Sequence, residues 1–348
     1  MSTPRRQLLT AASIASVAVM SACAGGGASD VVAPAGNAAA AASVAGSGSV
    51  NLVGYSVAKS LYSVVLPGFA ATADGKNVTV QQSYGPSGDQ SRKVAAGAPA
   101  DLVSFSTEPD ITRLVKAGLV NAGWNAGADH GIPFGSVVTI VVRKGNPKGI
   151  KDWDDLLKPG VSVVTPNPFS SGSAKWNLLA PYAAKSAGGT NRQAGLTWLS
   201  TLVGQHIHVQ PGSAREATET FAQGTGDALL TYENEAIADV RAGDAVEYVT
   251  PPQTFKIENP VAVTTNAKNP AGAAALLAYL RSAAGQELVA KAGFRPVDLA
   301  VAAAHAADFP TPQKMWTIAD LGGWAAVDAD LFDKDKGAIA AIYSKATS

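Results

Sequence analysis

The chain has little that could carry covalent, redox or metal chemistry. It holds a single cysteine, Cys23, and four histidines in 348 residues, which excludes a disulfide framework and any cysteine-based metal site. Charge of one sign is also missing: Lys plus Arg equals Asp plus Glu at 27 each, and no basic run stands out. Nucleic acid is therefore not an expected partner. Past the N-terminal segment no apolar run is long enough to span a bilayer, and even the Ala-rich AGAAALLAYL stops at Arg281. Neither GxxxxGK[ST] nor GxGxxG occurs, so the two common nucleotide-phosphate loops are absent.

What the N-terminus does contain is an export signal. Arg5 and Arg6 precede an apolar stretch from Leu8 to Met20, which runs into Ser21, Ala22 and Cys23. Small residues before a cysteine match a bacterial lipoprotein signal, cleaved before Cys23 after its lipidation. An ordinary secretory signal would share the first two features; the placement of the sole cysteine favours lipidation. The paired arginines fit a twin-arginine signal and equally the positive start of any signal. Residues 1–22 are thus read as signal, and residues 23–47, almost all Ala, Gly, Ser and Val, as a flexible tether. The remainder is long enough for two lobes with real cores. It is expected to lie outside the cytoplasm, on the periplasmic side, held to the outer face of the cell membrane by its lipid.

Beyond residue 47, strand-like runs alternate with helical ones: NLVGY, NVTVQQSY, DLVSFS, SVVTIVVRK, VSVVTPNP, HIHVQ, DALLTYE, EYVT and NPVAVTTN. This alternation predicts an α/β protein with parallel sheets. DITRLVKAG reads as a helix ended by Gly118, and TNRQAGLTWLSTLVG as one capped by Thr190 and ended by Gly204. A long amphipathic helix is expected to end near Gly293, and Pro67 to kink or shorten the first helix. FRPVDLA and WTIADLGGW read as packing and capping segments.

Three segments end a strand-like run in small hydroxyl and glycine residues and then begin a helix: SYGPSGDQSRKVAAG, TPNPFSSGSAKWN and PGSAREATETFAQG. Helix N-termini carry unpaired N–H groups and the positive end of the dipole, and Ser and Gly let an anion approach them. One such start is commonplace because serine is a preferred N-cap. Three in one α/β chain, each at the carboxyl end of a strand, point to a shared small-anion site with starts at Ser87, Ser171 and Ala214.

Other constellations carry less. GPSGD around Ser87 lacks the last glycine of a nucleophile elbow, and no histidine lies close in sequence to the three starts. His206 and His208 alternate on one strand, the minimum for a metal pair, but no third ligand is near and a structural role is the better reading. Asp152, Asp154 and Asp155 sit where a helix begins and complement its dipole, with Trp153 as a core anchor. Arg92, Lys93, Lys175 and Arg215 lie a turn inside the proposed helices and read as solvated rather than as ligands.

The run VRKGNPKGIKDWDDLLKPGVSVVTPNPFSSGSAKWNLLAPYA, with SYGPSGDQ before it and GSAREATETFAQGTGDALLTYENEA after it, closely resembles the prokaryotic sulfate-binding proteins, the receptors of sulfate and thiosulfate ABC transporters. The likeness covers residues 48 to 345. It implies an α/β, type II periplasmic-binding-protein fold: lobe 1 from 48–137 and 262–345, lobe 2 from 138–261, a hinge, and the ligand between them. By position, the resemblance assigns the ligand contacts to Ser56 through its N–H, Ser87 through its hydroxyl, Ser171, Gly172 and Ser173 at the central helix start, the N–H of Ala214, and Tyr232. It also implies a monomeric, non-enzymatic receptor without cofactor or metal, whose partners are sulfate or thiosulfate and a permease with its cytoplasmic ATPase. The contrasting reading is an extracytoplasmic enzyme acting on sulfate or phosphate esters, which would need a base or metal beside Ser87 or Ser171.

The chain departs from the family pattern at four positions. Tyr232 replaces the tryptophan of WENEA, Ser173 a second glycine, and Ser56 an aspartate. Asp89 stands where lysine is frequent; it either caps its own helix or accepts a proton from a protonated oxyanion.

Overall fold

The computed structural model describes residues 47–347. The signal segment, Cys23 and the tether as far as residue 46 lie outside the described residues. In chain order the strands are β1 (Gly48–Tyr55), β2 (Val78–Gly85), β3 (Leu102–Ser104), β4 (Phe134–Arg143), β5 (Val163–Val164), β6 (Ile207–Val209), β7 (Ala228–Tyr232), β8 (Val246–Val249), β9 (Gln253–Asn259), β10 (Val261–Val263), β11 (Arg295–Pro296) and β12 (Lys314–Trp316). The helices are α1 (Ala58–Ala70), α2 (Ser87–Ala95), α3 (Glu108–Lys116), α4 (Gly172–Lys185), α5 (Arg192–Gln205), α6 (Ala214–Ala222), α7 (Glu233–Ala242), α8 (Pro270–Arg281), α9 (Ala283–Lys291), α10 (Leu299–Ala304), α11 (Trp324–Val327) and α12 (Ala338–Thr347).

The first sheet has the order β10-β3-β1-β2. β1 pairs in parallel with β2 and β3, and β10 closes the other edge antiparallel to β3. Successive side chains of β1 serve opposite faces: Leu52 joins a core with Leu61, Val65, Phe69, Leu276 and Leu280, while Val53 joins Val103, Phe105, Ile111 and Leu114. Helices thus cover both faces. β2, at the edge, keeps polar exposed positions such as Thr79, Gln81 and Gln82, which protects the unpaired side.

The second sheet has the order β12-β9-β4-β7-β5-β6, with β8 and β11 also on β4. The run FGSVVTIVVR of β4 is buried at every position but the last, as expected of a central strand covered on both faces. β5, β6 and β7 are parallel, whereas β4 is antiparallel to β7, β8 and β9. The sheets are therefore mixed rather than wholly parallel. The exceptions include the strands on which the chain passes between sheets: β4 enters the second, and β9 leaves it through Pro260 directly into β10 of the first.

Several local expectations are corrected. Thr190 does not cap α5; the Asn191 side chain accepts from Ala194 N–H instead. The expected long helix is two, α8 and α9, divided at Ser282, whose extended backbone (ψ 156°) lets its hydroxyl cap Gly285. α1 runs through Pro67 to Ala70; Pro67 is exposed, so its missing N–H falls on the solvent side. β9 alternates Phe255 and Ile257 with Lys256 and Glu258 and pairs with β4, whereas β11 and β12 carry no clear strand pattern and form through pairing with β4 and β9. At the C-terminal end the sheets divide the chain differently from the expected 262–345 boundary. β12 pairs with β9 of the second sheet, and Tyr343 on α12 packs edge-on against Phe169 at 5.7 Å.

Candidate anion-binding site

The segments singled out in the sequence all emerge at the carboxyl ends of strands. Ser56 follows β1, Ser87 follows β2, Ser171 follows β5, Ala214 follows β6, and Tyr232 ends β7. Four of the helices they begin have a start not closed by its own cap. The residues preceding them, Val57 for α1, Pro86 for α2, Ser171 for α4 and Tyr232 for α7, make no side-chain cap bond. The first-turn N–H groups of Gly172, Ser173 and Ala214 lie outside their helical ladders by geometry alone. α6 is different in that Ser213 caps it, through Glu216 N–H at 3.2 Å.

Contacts draw these ends together. Gly88 N–H donates to the Ser170 carbonyl at 3.2 Å, joining the first turn of α2 to the loop before α4. Ser170 Oγ donates to the Gly212 carbonyl at 2.8 Å and Asn167 N–H to Pro211 at 2.9 Å, which sets the start of α6 beside that of α4. A Cβ on Gly172 would lie 2.9 Å from both Cβ and Oγ of Ser106. The Tyr55 ring, next to Ser56, packs on that of Tyr232 at 6.4 Å. Ser87, Ser171, Ser173 and Ala214 are each no more than 3% exposed and Tyr232 is fully buried; Ser56 is half-buried.

Two residues at this junction escaped the sequence reading. Asp110, in the first turn of α3, is buried; its Oδ2 accepts from Ser87 Oγ at 2.6 Å and Thr107 Oγ1 at 3.1 Å, and Oδ1 accepts from Arg113 at 2.9 Å. A first-turn aspartate is ordinary dipole chemistry, so no sequence signal marks it. Ser106 donates its N–H to Ser87 Oγ at 3.0 Å, shares a 2.7 Å hydrogen bond between its Oγ and Tyr232 OH, and accepts at its carbonyl from Trp176 Nε1 at 2.8 Å and Asn259 Nδ2 at 3.3 Å. Asp89, by contrast, is 40% exposed and pairs with Arg92.

Cations near the site are already engaged. Lys175 pairs with Asp328 at 2.6 Å, and Arg215 with the fully buried Glu235 at 3.1 Å; Lys93 is exposed. The two glutamates of YENEA brace α7: Glu233 holds Arg295 through bonds of 2.6 and 2.8 Å, and Glu235 holds Arg215. Burial pushes the Glu235 carboxyl up to about 7, against the opposing pull of Arg215 and with reinforcement from Asp239. Burial likewise raises the Tyr232 hydroxyl well above its ordinary value, so it keeps its proton at neutral pH.

The histidines lie elsewhere. His206 Nδ1 meets the Val161 carbonyl at 2.9 Å and His305 lies between Asp308 and Glu287, each at 2.9 Å. His206 caps the end of α5 and is buried while His208 is exposed on β6, so the two do not share a face. Among the described residues no group of three His, Cys, Asp or Glu could hold a metal ion. Asp152 and Asp155 form a reciprocal cap on the 3-10 turn Trp153–Leu157, Asp154 accepts from Trp198 Nε1 at 3.0 Å, and Trp153 is fully buried.

Two mixed sheets flanked by helices, with their strand ends meeting at a set of uncharged donors, are the architecture of a periplasmic binding protein. Residues 50–295 match the model of the bacterial extracellular solute-binding proteins. The sulfate-binding protein of Synechococcus elongatus is 39% identical over 355 residues, spanning 97% of this chain and 98% of the relative. The thiosulfate-binding protein of Pseudomonas aeruginosa is 36% identical, covering 84% and 91%. Among solved structures, the sulfate-binding protein SubI from Mycobacterium tuberculosis H37Rv is 61% identical with a TM-score of 0.81, over 82% of this chain and 99% of that one. The chain belongs to the prokaryotic sulfate-binding protein family of bacterial extracellular solute-binding proteins.

Proposed function

We propose that this chain is the extracytoplasmic substrate-binding component of an ABC importer, that it binds sulfate or thiosulfate, and that it hands the anion to a membrane permease driven by a cytoplasmic ATPase. The observation that carries the reading is the meeting of Ser87, Gly172 and Tyr232, from both sheets, at one buried junction with no unpaired cationic side chain. Family membership at 39% identity over nearly the whole chain supports the same reading.

An isolated charge costs tens of kcal/mol to bury in the idealised limit, so the site must replace almost all of the lost hydration. Hydrogen bonds to a charged group contribute about 1.5–3 kcal/mol each, and five to eight would supply roughly 10–20 kcal/mol gross. After the cost of association, micromolar or tighter binding, about −8 kcal/mol, is within reach. A site of donors also selects: phosphate retains a proton near neutral pH and would leave it unpaired, a penalty of about 1–3 kcal/mol.

The ligand set is Ser56, Ser171, Gly172, Ser173 and Ala214, joined by Ser87 through its first-turn N–H rather than the hydroxyl that the resemblance assigns, because that hydroxyl donates to Asp110; Tyr232 stands behind them on Ser106. Binding draws the lobes together about the connections that include Pro260. The protein acts as a monomer and a receptor rather than an enzyme, and Cys23 carries the lipid that keeps it at the membrane. Radiolabelled sulfate uptake tests the role: cells lacking the chain lose uptake and regain it with the wild-type chain. Undiminished uptake in its absence would refute the reading.

A further inference from the structure

Ser106 is fully buried just beyond β3, between the first-lobe residue Ser87 and the second-lobe residues Gly172 and Tyr232. Hydrogens can be counted there. The Ser87 hydroxyl has one, and the carboxylate of Asp110 accepts it at 2.6 Å; the Ser106 N–H is spent on Ser87 Oγ at 3.0 Å. The two hydroxyls of Ser106 and Tyr232 share one hydrogen bond of 2.7 Å, leaving one further hydrogen between them. A phenol is a far stronger acid than an aliphatic alcohol and the better donor of such a pair. With Tyr232 as the donor of that bond, the free hydrogen belongs to Ser106. Its Oγ also faces the first turn of α4, where it is 2.9 Å from the place a Cβ of Gly172 would occupy.

We propose that Ser106 is an additional anion-binding residue, whose hydroxyl donates to the bound oxyanion while Tyr232 stands behind it and polarises it. This inference rests on the sulfate-binding reading. It also accounts for a tyrosine where the family pattern has a tryptophan. An indole N–H can donate directly, whereas the Tyr232 hydroxyl is directed at Ser106, and the serine completes the reach. Chained hydroxyls strengthen one another as donors, so the relay suits a dianion held without a cation.

Ser106→Ala is a clean probe, because the N–H bond to Ser87 and the carbonyl bonds from Trp176 and Asn259 are all made by the main chain and survive. Sulfate titration calorimetry on the full chain would compare wild type, Ser106→Ala, Tyr232→Phe and the double variant. Ser106→Ala should weaken sulfate about tenfold to a hundredfold. Tyr232→Phe should weaken it less, and should add almost nothing in the Ser106→Ala background. Wild-type affinity in Ser106→Ala would overturn the proposal, as would a larger loss in Tyr232→Phe than in Ser106→Ala, which would make the tyrosine the direct donor. Should Ser106→Ala not fold, Tyr232→Phe decides alone: a loss under tenfold supports the relay and a greater one overturns it. A wild-type chain that takes up no sulfate would sink the functional reading and this one with it. Wild-type binding with unaffected Ser106→Ala would sink this one only.

Discussion

Gly172→Ala is the substitution that best separates binding from folding. A Cβ at Gly172 would lie 2.9 Å from Cβ and Oγ of Ser106 and 3.2 Å from Thr107 Cγ2. Carbon atoms rest about 3.5–4.0 Å apart, so the shortfall is roughly 0.5–1 Å. Its location matters more than its size: Gly172 belongs to α4, which packs on the second sheet, while Ser106 and Thr107 follow β3 of the first. Within α4 itself alanine is welcome, since Gly172 does not adopt a positive φ and alanine is the better helix former. On the proposed closure about the ligand, the strain falls on the closed arrangement and is relieved when the two sheets separate. Overpacking of this kind costs about 1–3 kcal/mol, a loss of sulfate affinity of about five- to 150-fold. Calorimetry gives the affinity, and thermal melting without ligand gives the control. Unchanged sulfate affinity would show that the contact between Gly172 and Ser106 is not tightened on binding. A drop in ligand-free melting temperature matching the loss of affinity would show that the contact belongs to the fold rather than to closure.

Three further outcomes are expected. Ser171→Ala should weaken sulfate by about 1–3 kcal/mol with melting temperature preserved; calorimetry showing no change would remove this hydroxyl from the ligand set. Glu235 is held up at about 7 by burial, above the ordinary value of 4.5. Its contribution to stability is full below the unfolded value and is lost as pH rises through about 7. Glu235→Gln should therefore gain up to about 3 kcal/mol over wild type above pH 7, with the gap closing below pH 5. Melting curves from pH 4.5 to 8.5 check this, and a pH-independent difference would contradict it. Trp176→Ala should cost about 3–5 kcal/mol of stability, because its fully buried ring packs on Trp324 at 4.7 Å and Phe255 at 5.7 Å. A loss below 1 kcal/mol by denaturant unfolding would show that the core repacks around it.

The parts of this protein that were legible in the sequence are those whose chemistry is local. A Ser/Gly start after a strand announces itself in a few residues, and α2, α4 and α6 begin where the pattern puts them. Asp152 and Asp155 cap the turn they flank for the same reason. What was hidden depends on partners far away in the chain. Ser106 reaches Tyr232 across 126 positions and Asp110 reaches Ser87 across 23, so neither has a neighbour in sequence to betray it. β11 and β12 exist because β4 and β9 supply hydrogen-bonding edges, which no periodicity records. The break between α8 and α9 was missed for the opposite reason: the Ala-rich run continues its helical pattern across Ser282, and only the cap it gives Gly285 interrupts it.

The position of Asp89 bears on selectivity as well. Paired with Arg92 and 40% exposed, it faces away from the junction, and the carboxylate behind the site is Asp110, with Ser87 Oγ at 2.6 Å. Uncharged donors holding a fully ionised oxyanion should be visible in calorimetric titration with sulfate and phosphate between pH 6 and 8. Sulfate should bind with micromolar or tighter affinity and phosphate at least about tenfold more weakly. Comparable affinities for the two anions would show instead that a proton acceptor reaches the ligand.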